Sequence, residues 1–116
     1  MISPVNSVVL IGFAEALSAP EVVWSLIDAG FEVSAFGRKD RKSALRRSRY
    51  ASVIEVTSPE LDAAATVREV QSLMRSLCTS FPGKVVVLFP LDDSAVWLCS
   101  QVVDNLYLGE TRRAGH

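Results

Sequence analysis

Apolar residues run almost without interruption through residues 7–11 (SVVLI), 31–36 (FEVSAF), 52–56 (SVIEV) and 84–89 (KVVVLF). Short β-branched runs of this kind fit strands buried on both faces. Between them the apolar positions change to a helical period. Val22, Val23, Leu26 and Ile27 form one stripe. Ala64, Val67, Val70, Met74 and Leu77 form a second, within a helix predicted over 61–77. Val96, Cys99, Val102, Val103 and Leu106 form a third, over 95–106. Ser18-Ala19-Pro20-Glu21 reads as a helix start: Ser18 as cap, Pro20 in the first turn, Glu21 three positions after the cap. Gly30 ends that helix. Pro59, Phe81-Pro82-Gly83 and the turn from Pro90 to Ser94 mark the other breaks. Strands alternating with helices predict an α/β domain, a parallel sheet with helices on both faces. The pattern spans 7–108, after an arm over 1–6; residues 109–116 carry no pattern and read as a flexible tail or an artificial end.

The chain of 116 residues is the size of one domain, and 49% of it is apolar, enough to build a core. Its net charge of −1 gives no overall attraction to nucleic acid or to an anionic membrane. Cys78 and Cys99 fit no metal spacing and fall on helical patterns, as small buried apolar residues in a reducing compartment do. No Lys or Arg precedes the first apolar run, and Glu15 interrupts it, so an export signal is not expected there. No run approaches the roughly 18 apolar residues that span a bilayer. A cytoplasmic setting is the expectation.

The stretch from strand one into the first helix invites comparison with a dinucleotide loop. On the G-x-G-x-x-G pattern Gly12 takes the first place, Ala14 the second and Leu17 the third. The second glycine lets backbone approach pyrophosphate, and the third lets helix pack on strand. Both are missing. Arg38 and Lys39 stand where an acidic residue would grip a ribose. An NADP-binding domain with Arg38 on the 2′-phosphate is therefore an alternative reading; the plainer one is a turn that only folds the chain.

Charge is unevenly spread. Residues 38–50 hold seven Lys or Arg against one Asp, around a short helical centre, while the remainder holds five against twelve acidic residues. This segment fits a solvated helix face, or an interaction module for an anionic ligand or acidic partner surface. Nucleic acid is a poor match, because only Tyr50 offers a stacking ring. A phosphoacceptor receiver domain is a poorer match still, since no acidic pair follows strand one and no Asp ends strand three.

Four segments in order carry a resemblance. A small-residue turn follows strand one, and the first helix ends in Ala29-Gly30-Phe31-Glu32-Val33. Ser48-Arg49-Tyr50 precedes strand three, and Pro90-Leu91-Asp92-Asp93 follows strand four. Together they resemble the N-terminal, Rossmann-like (pre-ATP-grasp) domain of ATP-grasp ligases, across residues 7 to 106. The resemblance implies a four-stranded sheet in the order 3-2-1-4. It implies a non-catalytic module of a ligase that activates a carboxylate as an acyl phosphate and passes it to an amine or other nucleophile. ATP and magnesium would be held by two later domains, the expected partners, which this sequence does not contain; the chain then reads as a fragment or one module of a longer polypeptide.

In such a sheet the turns after strands one and four share a crevice at the carboxyl ends. The residues expected to touch substrate there are Gly12, Phe13, Glu15, Ser18, Pro90, Asp92 and Asp93. In some members of the resembling family an acidic residue in the first turn meets a substrate amino group, a role the resemblance would give to Glu15; the plainer reading is a surface carboxylate that stabilises the helix start. Asp92 or Asp93 alternatively caps the last helix. Arg38, Lys39 and Arg49 are the expected contacts for an anion or a partner. No catalytic residue and no metal ligand is assigned. Trp24, Trp97 and Tyr107, with the many-sided apolar surface of the last helix, predict self-association, a homodimer, through that helix or the tail.

Overall fold

The computed structural model describes residues 4–41, 52–105 and 111–113. A single turn of 3-10 helix, Pro4–Asn6, leads into β1 (Ser7–Gly12). Then come α1 (Ala19–Asp28), β2 (Glu32–Arg38), β3 (Ser52–Val56), α2 (Ala63–Ser80), β4 (Val85–Pro90), α3 (Asp93–Asn105) and β5 (Thr111–Arg113). The sheet is parallel throughout, in the order β3-β2-β1-β4-β5. The expected 3-2-1-4 order and the α/β class hold. β5 is an addition on the β4 edge, where the sequence carries no strand pattern. The short helical centre expected within 38–50, with Arg49, and the tail residue Tyr107 lie outside the described residues.

β1 occupies the middle of the sheet and is buried along its whole length. Its side chains alternate between two cores, as the strand period requires. Val9 and Ile11 join Ala35 of β2 against Ala19 and Val23 of α1. Val8 and Leu10 join Phe36, Val56, Val86 and Leu88 on the opposite face. There they meet Val70, Met74 and Leu77 of α2 and Leu98, Cys99 and Val102 of α3. Each fully buried aliphatic side chain contributes about 1.5–3 kcal/mol, so β1 carries much of the stability. Among the described residues no helix is long and apolar enough to cross a membrane.

The helix ends follow different chemistry. Gly30 takes φ 93° and closes α1: its N–H donates to the Ile27 carbonyl, and the Phe31 N–H donates to Leu26. This pair of bonds satisfies the last carbonyls and needs a left-handed residue. Asp62 caps α2 by accepting from the Ala65 N–H at 3.0 Å. Asp92 caps α3 in the same way through the Ala95 N–H at 2.8 Å. Ser18 departs from expectation. It sits in helical backbone geometry and makes no side-chain capping bond, because the chain is already turning through residues 16–18 before α1 begins.

Candidate functional site

The strand order brings the turns after β1 and β4 together at the carboxyl rim of the sheet. Gly12 pairs with Pro90 in register, and the Leu91 N–H donates to the Gly12 carbonyl at 2.7 Å. The first turn is also fastened to β2, since the Ala14 N–H donates to the Phe36 carbonyl at 2.9 Å.

Gly12 owes its identity to an aromatic ring. A Cβ there would lie 2.2 Å from the tip of the Phe36 ring. Phe13 then packs edge-on against Phe36, with ring centroids 5.0 Å apart and planes at 78°. Both rings are buried. The glycine that resembles the start of a phosphate loop is thus used to admit a side chain of the core, and Phe13 presents no surface to a ligand.

Arg38, the last residue of β2, lies over the far side of this pair. Its guanidinium carbon is 4.1 Å from the Phe13 ring centroid. A cation on a desolvated aromatic face is stabilised by about 1–2 kcal/mol. The side chain is only 3% exposed, and its charge is met by carboxylates from the other βα turns. Nη1 lies 2.5 Å from Glu15 Oε1 and 3.5 Å from Asp92 Oδ2. Nε and Nη2 donate to the two oxygens of Glu60 at 2.9 and 3.1 Å, a two-pronged match of planar groups. Glu15 Oε2 also accepts from the Arg38 backbone N–H at 3.3 Å. One guanidinium thereby joins the turns that follow β1, β3 and β4. Burial alone pulls the Arg38 pKa down, but the hydrogen bonds to Glu60 and Glu15 outweigh it and raise it above its ordinary value. The Glu60 carboxyl is lowered, chiefly by its hydrogen bond from Arg38.

The turn that carries Glu60 is itself tightly stitched. Thr57 donates to Glu69 of α2 through its N–H at 3.0 Å and its hydroxyl at 2.7 Å. Thr66 returns a hydroxyl bond of 2.6 Å to the Thr57 carbonyl. Burial raises the Glu69 pKa, but the bonds from Thr57 win and hold it below its ordinary value. Ser58 donates to Asp40, and that bond is the main cause of the lowered Asp40 pKa. The Lys39 N–H donates to the Val56 carbonyl at 3.0 Å.

Of the residues expected at the crevice, Gly12, Phe13, Glu15, Pro90 and Asp92 do lie together, but as a closed arrangement. Asp93 is exposed in the first turn of α3, and Ser18 is exposed. Arg38 is buried by its own carboxylates, so a 2′-phosphate would have to displace them. Lys39 points outward, 58% exposed, with Nζ 3.9 Å from Glu69. Arg49 lies outside the described residues. Glu60 was not singled out by the sequence, although it is the carboxylate that grips Arg38 with both oxygens.

Beside the rim, α2 and α3 leave a shallow groove. Its upper part is a hollow of about 360 Å³ lined by Pro59, Glu60, Ala63, Asp93, Ser94 and Trp97. Its lower part, about 390 Å³, is lined by Ala63, Val67, Arg68, Trp97 and Gln101 among others. Among the described residues no group of His, Cys, Asp or Glu could hold a metal ion. No family model matches the chain, and no curated protein or solved structure does either.

Proposed function

We propose that this chain is the non-catalytic, N-terminal Rossmann-like module of an ATP-grasp ligase. In this reading it shapes the substrate side of the active site and seats the domains that bind ATP and magnesium. The observation that carries the reading is the side-by-side placement of the Gly12–Glu15 and Pro90–Asp93 turns on one rim, the two turns that belong to the resemblance. The closed rim is in keeping with a non-catalytic role. Glu15, Glu60 and Asp92 are occupied in neutralising Arg38, and Gly12 faces a phenylalanine ring. Such a rim offers a rigid wall against which a substrate is held, with the exposed Asp93 supplying negative charge for an amino group.

ADP release from ATP and magnesium tests the proposal. The chain alone releases none and binds neither ATP nor NADPH. The polypeptide encoded by the uninterrupted gene releases ADP only when a carboxylate and a nucleophile are both supplied. A gene that encodes no ATP-binding domains, or saturable NADPH binding by the chain, overturns the reading.

A further inference from the structure

The groove between α2 and α3 has a polarity that matches itself. Its centre is apolar, with Ala63 and Trp97 shared by the upper and lower hollows. Trp97 is 41% exposed, and neighbouring Val96 is 52% exposed. Glu60 and Asp93 stand at the rim end, where the N-termini of the two helices offset part of their charge. Arg68 stands at the other end, on the same face of α2 as Ala64 and about 7.5 Å along the helix from Ala63. A groove acidic at one end, basic at the other and apolar between is complementary to its own copy turned by a twofold axis through the centre.

We propose that the α2–α3 groove is the contact face of a homodimer, in which Trp97 of each copy packs on the Ala63–Trp97 centre of the other. The twofold places Asp93 of one copy against Arg68 of its partner, twice. Parallel stacking would instead align like charges, so the charge pattern selects the antiparallel arrangement. A bulky aromatic at the middle of the face, with charged residues toward its edge, is the usual anatomy of a specific interface. The inference does not rest on the ligase reading, and its test contains no nucleotide.

The oligomeric state of the chain in solution tests it. Sedimentation equilibrium is expected to show a reversible dimer, and Trp97→Ala to weaken it by roughly thirtyfold or more. Arg68→Asp and Asp93→Lys, both on exposed side chains, each weaken it by roughly tenfold. Two rescues identify the geometry. An equimolar mixture of the two single variants forms a heterodimer, because each brings the charge the other lacks. The double variant also regains dimer formation, with every pair reversed. Unchanged circular dichroism shows that the variants are folded. A chain that is monomeric at all concentrations overturns the proposal, and so does a dimer indifferent to Trp97 or charge variants that fail to rescue one another. Association through another surface, or only with a different protein, appears as one of those results.

Discussion

Arg38 Nη1 lies 2.5 Å from Glu15 Oε1, joining the end of β2 to the turn after β1 across 23 residues of sequence. Glu60 and Asp92 complete the arrangement from two further turns. We predict that Arg38→Met destabilises the chain by about 2–4 kcal/mol, below the full cost of breaking a wholly buried pair because Glu60 and Asp92 reach solvent. Urea denaturation measures it. In the Glu15→Gln background the same substitution costs clearly less, since the carboxylate it would strand is gone; equal costs in both backgrounds would show that the two residues are not coupled.

Asp92 has two roles that a single substitution separates. Its Oδ1 caps α3, and its Oδ2 faces Arg38 at 3.5 Å. Asn caps as well as Asp, so Asp92→Asn loses only the longer charge contact and changes stability by less than about 0.5 kcal/mol. Asp92→Ala loses the cap too and costs about 1–2 kcal/mol. Thermal melts of the two variants compare them directly, and equal losses would remove the cap from the account.

Gly12 and Gly37 are expected to respond differently to alanine. At Gly12 the new methyl meets the Phe36 ring at 2.2 Å, and that ring is wedged against Phe13. Gly12→Ala therefore costs about 1–3 kcal/mol through overpacking. At Gly37 the obstacle is Glu15 Oε2 at 2.9 Å. Gly37→Ala pushes that carboxylate off the Arg38 backbone, so its cost shrinks in the Glu15→Ala background. The Gly12→Ala cost does not. Chemical denaturation of the five variants, the Glu15→Ala background included, supplies the comparison.

Acid should loosen the rim in a defined direction. Hydrogen bonding from Arg38 lowers the Glu60 pKa below its ordinary 4.5, and hydrogen bonding from Ser58 lowers that of Asp40 below 3.8. A carboxyl lowered in the folded state contributes its full stability above the unfolded value and loses it as pH falls through the folded one. Stability is therefore level from neutral pH to about 5 and falls below that. Glu60→Gln lowers the plateau and makes the acid fall shallower. An acid limb as steep in Glu60→Gln as in the parent would exclude Glu60 from the transition.

How much of this is written in the sequence depends on how local the cause is. β1 and β4 are legible because a strand covered on both faces needs apolar residues at every position, and SVVLI and VVVLF supply them. The end of α1 is legible because Gly30 alone fits its positive φ cheaply. The meeting of the first and fourth turns follows from the strand order. Arg38 is a different case. It opens a run of basic residues, which reads as solvated, and what buries it lies 23, 22 and 54 positions away. Glu60 sits in a turn whose sequence gives no hint of its target; the nearest signal is a lone acidic residue just after Pro59, in a loop that follows a parallel strand. Ser18 shows the converse failure, a correct capping sequence in a backbone that turns too early to use it. Thr111–Arg113 has no apolar period because an edge strand is held by its backbone.

That edge strand fixes an orientation. β5 runs alongside β4 in the same sense, with Thr111 opposite Val86 and Arg113 opposite Leu88. β5 consequently points, at Arg113, toward the end of the molecule where Glu15 and Asp92 lie. A fluorophore or protein fused just beyond that point starts out as a neighbour of the carboxylate ring, whereas one fused before Ser7 starts from the opposite pole.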